Sequence, residues 1–144
     1  MTNSDNNLLE VCYVDGWQEE TNPSSKGGAT LWEFGKEQVF SFKTDKKIIT
    51  NNQVEIIAVI LGLLISRNKT IVSDSVLAVN TITGKWHIRE EALVPLVLLG
   101  RLIYSWLDKE IIWERRDTNL AGIYNDEHFL QATKPISQLR KLNI

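Results

Sequence analysis

The sequence predicts an α/β domain. It should be a mixed five-stranded sheet, with three antiparallel strands first, then parallel strands, and helices on both faces. Three observations predict it. The first forty residues hold short strand-like runs broken by Gly and Pro turn chemistry, which suits an antiparallel meander. From residue 50 onward, helical and strand patterns alternate, which suits parallel strands joined by crossover helices. The chain has 144 residues, 43% of them hydrophobic and 24% charged, enough for one cored domain and too apolar for wholesale disorder.

Residues 1–7 read as a frayed tail, residues 8–133 as the domain and residues 134–144 as a C-terminal tail. Leu8–Val14 is the first strand, and the polar stretch Gly16–Gly28, with Asn22-Pro23-Ser24-Ser25, is turn-rich. Ala29–Phe34 and Glu37–Lys43 are the next strands, with Gly35-Lys36 as the hairpin turn between them. Thr50 or Asn51 caps a helix to about Ser66. Thr70–Ser73 is a strand, and a short helix runs from Asp74 or Ser75 to Ile82, where Gly84 stops it. Glu90–Leu107 is a long helix that tolerates Pro95 in its first turns. Lys109–Glu114 is the fifth strand, and Asn119 caps a last helix to about Gln131. Trp32, Trp106 and Trp113 fall on apolar patterns and belong in the core.

The net charge of −2 argues against a strongly basic nucleic-acid coat, but not against a nuclease with a local acidic centre. Cys12 is the single cysteine, so no internal disulfide forms and a reducing compartment fits. His87 and His128 lie far apart with no cysteine partners, which excludes the usual zinc patterns. The longest apolar run, Ile56–Ile65, is far below the ~20 residues that span a bilayer. These features predict a cytoplasmic protein with no membrane association and no obligate protein partner.

Three acidic residues carry the chemistry. Asp15 follows the run Val11-Cys12-Tyr13-Val14, Glu55 heads the long apolar helix, and Asp74 ends the fourth strand. Acidic groups are rarely buried without partners. Several converging from separate elements suit a divalent ion with oxygen ligands, magnesium or manganese. Two such ions can drive in-line phosphodiester hydrolysis.

The motifs Tyr13-Val14-Asp15-Gly16, Asn22-Pro23 before Gly27-Gly28, Thr50-Asn51-Asn52-x-x-Glu55, and Ser73-Asp74-Ser75 leading to Asn80-x-Ile82-Thr83-Gly84-Lys85-Trp86 occur in one order. In that order and spacing the sequence resembles type 1 ribonuclease H over residues 8 to 132. The resemblance implies a ribonuclease H-like fold and a metal-dependent endonuclease. Its substrate would be the RNA strand of an RNA–DNA hybrid, cut to 5′-phosphate and 3′-hydroxyl ends. It implies two magnesium ions, for which manganese can substitute, at Asp15, Glu55 and Asp74. It implies substrate contacts from Asn22, Thr50, Asn51, Asn52 and Ser75. Amides and hydroxyls there can bond phosphate oxygens and the RNA 2′-hydroxyl.

The family's fourth acidic ligand stands four residues after an asparagine equivalent to Asn119, and Ile123 occupies that position. Asp126 lies one turn on, and helical side chains lean back toward position i−4, here Gly122, which has no side chain in the way. Asp126 is therefore the expected fourth ligand, with Asp117 and Glu127 as alternatives. The segment Arg116-x-x-Asn119-Leu120-Ala121-Gly122 resembles a variant of ribonuclease H-like proteins. The family's histidine before the last helix is replaced by a loop in which Arg116 can contact phosphate. Trp17, in place of a small polar residue, either stacks near substrate or covers the site. The alternative function is a ribonuclease H-like nucleic-acid-binding module, weak or inactive in cleavage. A DNA-directed nuclease on the same fold fits less well, because a contact set for the 2′-hydroxyl has no use on DNA alone.

Overall fold

The computed structural model describes residues 10–19 and 21–129. The domain limits at 8 and 133 and both tails lie outside the described residues, whereas the last helix ends at His128, with Phe129 extended after it, short of the expected Gln131. Five strands form one sheet: β1 Val11–Gln18, β2 Lys26–Glu33, β3 Lys36–Lys43, β4 Thr70–Ser73 and β5 Glu110–Trp113. Among the described residues four α-helices accompany them: α1 Asn51–Ile65, α2 Val76–Ile82, α3 Val94–Trp106 and α4 Leu120–His128.

The strand order is β3-β2-β1-β4-β5. β1, β2 and β3 pair antiparallel, whereas β4 and β5 run parallel to β1. This is the predicted mixed sheet. On one face, Cys12, Val14, Ala29, Leu31 and Ile71 pack with Ile56, Val59 and Leu63 of α1 and Val97 of α3. The opposite face of β1 and β2 meets α4: Trp32 lies against Tyr124, and Thr30 bonds Asn125. Burying apolar area on both faces is what fixes β1 at the centre, at roughly 25 cal/mol per Å² removed from water.

Local sequence explains the boundaries. Thr50 caps α1 through a capping box: its hydroxyl accepts from Gln53 N and the Gln53 side chain accepts from Thr50 N. The β2–β3 hairpin closes at Glu33↔Lys36, so its turn is Phe34-Gly35, with φ of 54° and 77°, rather than Gly35-Lys36. Two positive φ values match the twist of the flanking strands, and Gly35 supplies one without steric cost.

Three expectations are corrected. β1 runs on past Asp15 to Gln18, because Trp17 is buried and this segment pairs with Gly27–Ala29 of β2. The long helix starts at Val94, after a 3₁₀ turn at Glu91–Leu93. Trp106 and Trp113 are 75% and 49% exposed, not core. α3 is apolar nearly all round, so periodicity cannot pick its inner face; the fold buries Val97, Gly100 and Ile103 and leaves Leu98, Leu102 and Trp106 outside. Among the described residues no helix is long and apolar enough to cross a membrane.

Candidate active site

The parallel pairing of β1 with β4 ends at Val14↔Ser73. Asp15 and Asp74 are the next residues on each strand, so the diverging chains place both carboxylates at one cleft. Glu55 enters from the N-terminal part of α1, just past its first turn. Its approach depends on Gly16: a Cβ there would lie 2.3 Å from the Val54 carbonyl carbon. The Gly16 N–H donates to Glu55 Oε1 at 2.7 Å. One carboxylate oxygen from each of Asp15, Glu55 and Asp74 lies within 4.8 Å of the others.

Arg116 sits among these acids. Its Nη1 donates to Asp15 Oδ1 at 2.9 Å and to Asp74 Oδ2 at 3.1 Å. Its Nη2 donates to Asp126 Oδ1 at 2.7 Å and to Asp15 Oδ2 at 3.4 Å. Gly122 makes room for this arrangement, since a Cβ there would lie 3.1 Å from Asp74 Oδ2 and 3.4 Å from Arg116 Nη1. The expected lean of α4 side chains across Gly122 thus brings Asp126 to Arg116. Among the described residues the carboxylate group able to hold a metal is Asp15, Glu55 and Asp74, and Asp126 joins it through the guanidinium. Asp117 is exposed and pairs with Arg115, and Glu127 is exposed.

Two asparagines of α4 lock the acids. Asn119 is fully buried and caps the helix, its Oδ1 accepting from Ala121 N and Gly122 N. Its Nδ2 donates to Val14 O and to Asp74 Oδ2. Asn125 Nδ2 donates to Asp15 Oδ2 at 2.8 Å, while its Oδ1 accepts from Thr30. Asn125 was not singled out in the sequence. The signal that could have found it is the polar series Asn119, Gly122, Asn125 and Asp126, one face of a short helix.

Burial and mutual repulsion raise all three carboxyls. Asp15 is raised by desolvation, against the opposing pull of Arg116. Glu55 is raised well above its ordinary value by desolvation, then by Asp15 and Asp74. Asp74 is pushed up to about 7 by desolvation, then by Asp15. A carboxyl whose folded pKa exceeds its unfolded one keeps its proton longer when folded, so its ionisation costs stability as pH rises. Metal-free protein should therefore lose stability between pH about 4 and about 7. Asp74→Asn should flatten that loss and raise the metal-free Tm at pH 8, by a few degrees for about 1–2 kcal/mol. Thermal melts across pH, with chelator, check it.

The donor set fits a hard divalent cation. Its ligands are carboxylate oxygens, and they converge from three elements.

The remaining expected site residues make local structural bonds. Asn22 Oδ1 accepts from Asn51 N and Gln18 Nε2, which ties the turn before β2 to the start of α1. Thr50 is the α1 cap, and Asn52 Nδ2 donates to Glu90. Ser75 caps α2, accepting from Ala78 N. Trp17 is 2% exposed and stacks on Phe129 with ring centroids 4.1 Å apart, so it is packing under α4 rather than a surface for bases.

The mixed sheet, its strand order and its helices on both faces are those of the ribonuclease H-like fold. The RNase H family model matches residues 8–137, and the chain belongs to that family, with type 1 ribonucleases H. RNase H1 from the halophilic archaeon Halobacterium salinarum is 25% identical, with a TM-score of 0.61 over 77% of this chain and 89% of that one. The N-terminal RNase H domain of Rv2228c from Mycobacterium tuberculosis, solved as a fusion with maltose-binding protein, is 24% identical, with a TM-score of 0.60 over 77% and 90%. LC11-RNase H1 in complex with RNA/DNA hybrid is 18% identical, with a TM-score of 0.59 over 76% and 88%. No curated protein sequence matches the chain. Family membership supports a nuclease of the ribonuclease H kind.

Proposed function

We propose that this protein is a metal-dependent endoribonuclease that cuts the RNA strand of RNA–DNA hybrids. The observation that carries the reading is the convergence of Asp15, Glu55 and Asp74 within 4.8 Å in a member of the RNase H family. Asp15, Glu55 and Asp74 would hold magnesium or manganese, which when bound supplies Lewis acidity at the scissile phosphate and a more acidic water. Hydrolysis adds water to phosphorus and breaks the P–O3′ bond. The departing 3′ oxygen takes up a proton, leaving a 3′-hydroxyl and a 5′-phosphate.

The chain's own residues position the strand. Asn22, Thr50, Asn51 and Asn52 gather at the start of α1, where the helix dipole favours a phosphate. Their polar groups suit the RNA backbone and its 2′-hydroxyl. Ser75, at the start of α2, faces the same strand in this reading. Arg116 carries a permanent charge that can meet the phosphate. Asp126 anchors Arg116, so Asp126→Asn should lower cleavage by about tenfold or more, since charge-assisted bonds contribute about 1.5–3 kcal/mol. Asp117→Asn, at an exposed pair, should change it less than about twofold. Initial rates on a labelled hybrid give the ranking, and the reverse order would move the anchoring role to the loop.

The direct test is cleavage of that hybrid with magnesium, then manganese, against matched RNA and DNA duplexes. Metal-dependent cutting of the hybrid's RNA strand alone is the expected result. A second reading is a hybrid-binding module with cleavage lost, favoured by Ile123 at the fourth ligand position and by Arg116 inside the acidic cluster. Binding without cutting under both metals would establish that one.

A further inference from the structure

We infer that Arg116 is a resident cation standing where a second metal ion would otherwise be needed, so that the site takes up one divalent ion rather than two. The inference rests on the metal-dependent reading above and concerns how many ions this chain's residues admit.

Four features point the same way. Arg116 Nη1 bridges Asp15 Oδ1 and Asp74 Oδ2, carboxylates of two of the three acids that converge in the cleft. Ile123 stands where the family resemblance places a fourth carboxylate, and isoleucine cannot ligate. The acid one turn further on, Asp126, is buried and turned to Arg116 Nη2 at 2.7 Å, outside the three-carboxylate group. Gly122 leaves the space that Arg116 and Asp74 occupy over α4. Losing a ligand at position 123 and gaining a guanidinium at the same face are complementary changes.

Charge supports the exchange. Arg116 pairs with Asp15, Asp74 and Asp126, and a guanidinium stays charged in proteins. Paired ions in two-metal sites lie about 3.5–4 Å apart, so a second ion would compete for oxygens already bonded to a fixed cation. Arginine cannot shed its proton to make way. The fork geometry lets one side chain satisfy three carboxylates together. In this arrangement Arg116 is a positioning and charge-balancing group for the metal-bearing acids.

The test counts ions rather than turnover. Full-length protein is titrated with manganese and followed by electron paramagnetic resonance, alone and with a hybrid whose RNA strand is 2′-fluoro substituted and resists cleavage. Wild type should bind one ion per chain and give a mononuclear spectrum in both states. Arg116→Gln should admit a second ion and show a magnetically coupled pair, with the first ion bound at least about tenfold tighter once a like charge is removed. Arg116→Lys, which keeps the charge, should stay mononuclear. A coupled pair in the wild type overturns the inference and leaves the metal-dependent nuclease reading standing. It is also overturned if Arg116→Gln, folded by circular dichroism, matches the wild type in stoichiometry and affinity. No bound manganese in the wild type or Arg116→Gln would instead overturn the metal reading beneath it.

Discussion

Asp15→Asn should lower hybrid cleavage by at least about a thousandfold while the protein stays folded, a loss of about 4 kcal/mol of transition-state stabilisation. Asp15 is the hub of the site. Its carboxylate receives Arg116 and Asn125, and one of its oxygens completes the three-carboxylate group. Asparagine is nearly isosteric, so packing at this fully buried side chain is preserved. It removes one negative charge and one anionic ligand oxygen. The fold should not suffer, because burial already opposes ionisation of Asp15 and its charge raises both Glu55 and Asp74. Replacing an acid that repels two buried neighbours relieves them. Metal-free Asp15→Asn should therefore melt at or above the wild-type temperature at pH 8. Its melting point should respond less to added magnesium, since a ligand that binds only the folded state stabilises it by RT ln(1 + L/Kd) at free concentration L, which shrinks as Kd rises. Two measurements decide: initial rates on a labelled hybrid, and melts with and without magnesium. Wild-type rates in purified variant protein would remove Asp15 from the metal site.

Much of this was legible in the sequence for identifiable reasons. Strands announce themselves where turn residues bracket β-rich runs, as at Thr70–Ser73, whose bounds match the structure. Helix capping is local chemistry, so the start of α1 was readable to within a residue, at Thr50 or Asn51, and the structure places the cap at Thr50. The three acids stood out because each follows an apolar run or heads an apolar helix. What depends on the third dimension did not read. Trp17 looked like part of a polar turn because its partners, Phe129 and Gly28, come from elsewhere in the chain. Trp106 and Trp113 looked like core because apolar periodicity on α3 and β5 has no unique inner side. Arg116 could be suspected of touching phosphate. Nothing in its spacing showed that it would reach across 101 residues to Asp15, since that contact is made by the turn before α4 folding back onto the sheet. Asn125 stayed hidden for the same reason: it acts on Asp15 from 110 residues away.

Gly16→Ala should be among the most destabilising single changes in this protein, by about 3 kcal/mol or more, with a drop in Tm of about 10 °C. Glycine here is a matter of space. The added Cβ would meet the Val54 carbonyl carbon at 2.3 Å, the Val54 oxygen at 2.4 Å and the Glu55 nitrogen at 2.7 Å. These are backbone atoms of the first turn of α1, so no side-chain rotation relieves them. Either β1 or α1 must move, and both are pinned. β1 pairs with β2 through Gly16 and with β4 as far as Val14, and Val54, Ile56 and Val59 of α1 are fully buried. The same displacement reaches the chemistry, because Gly16 N–H holds Glu55 Oε1 at 2.7 Å. A shift of even 1 Å would take Glu55 out of register with Asp15 and Asp74. Misplacements of that size can cost about a hundredfold in rate. Cleavage should therefore fall by about that factor at temperatures where the variant is still folded. Gly35→Ala is the control. Its position is strained by a φ of 77°, but nothing lies within 4 Å of its added Cβ, and it is far from the acids. It should lower stability by about 1 kcal/mol, with cleavage by the folded protein unchanged. Equal effects of the two substitutions on the rate of folded enzyme would mean that Glu55 is not positioned through Gly16.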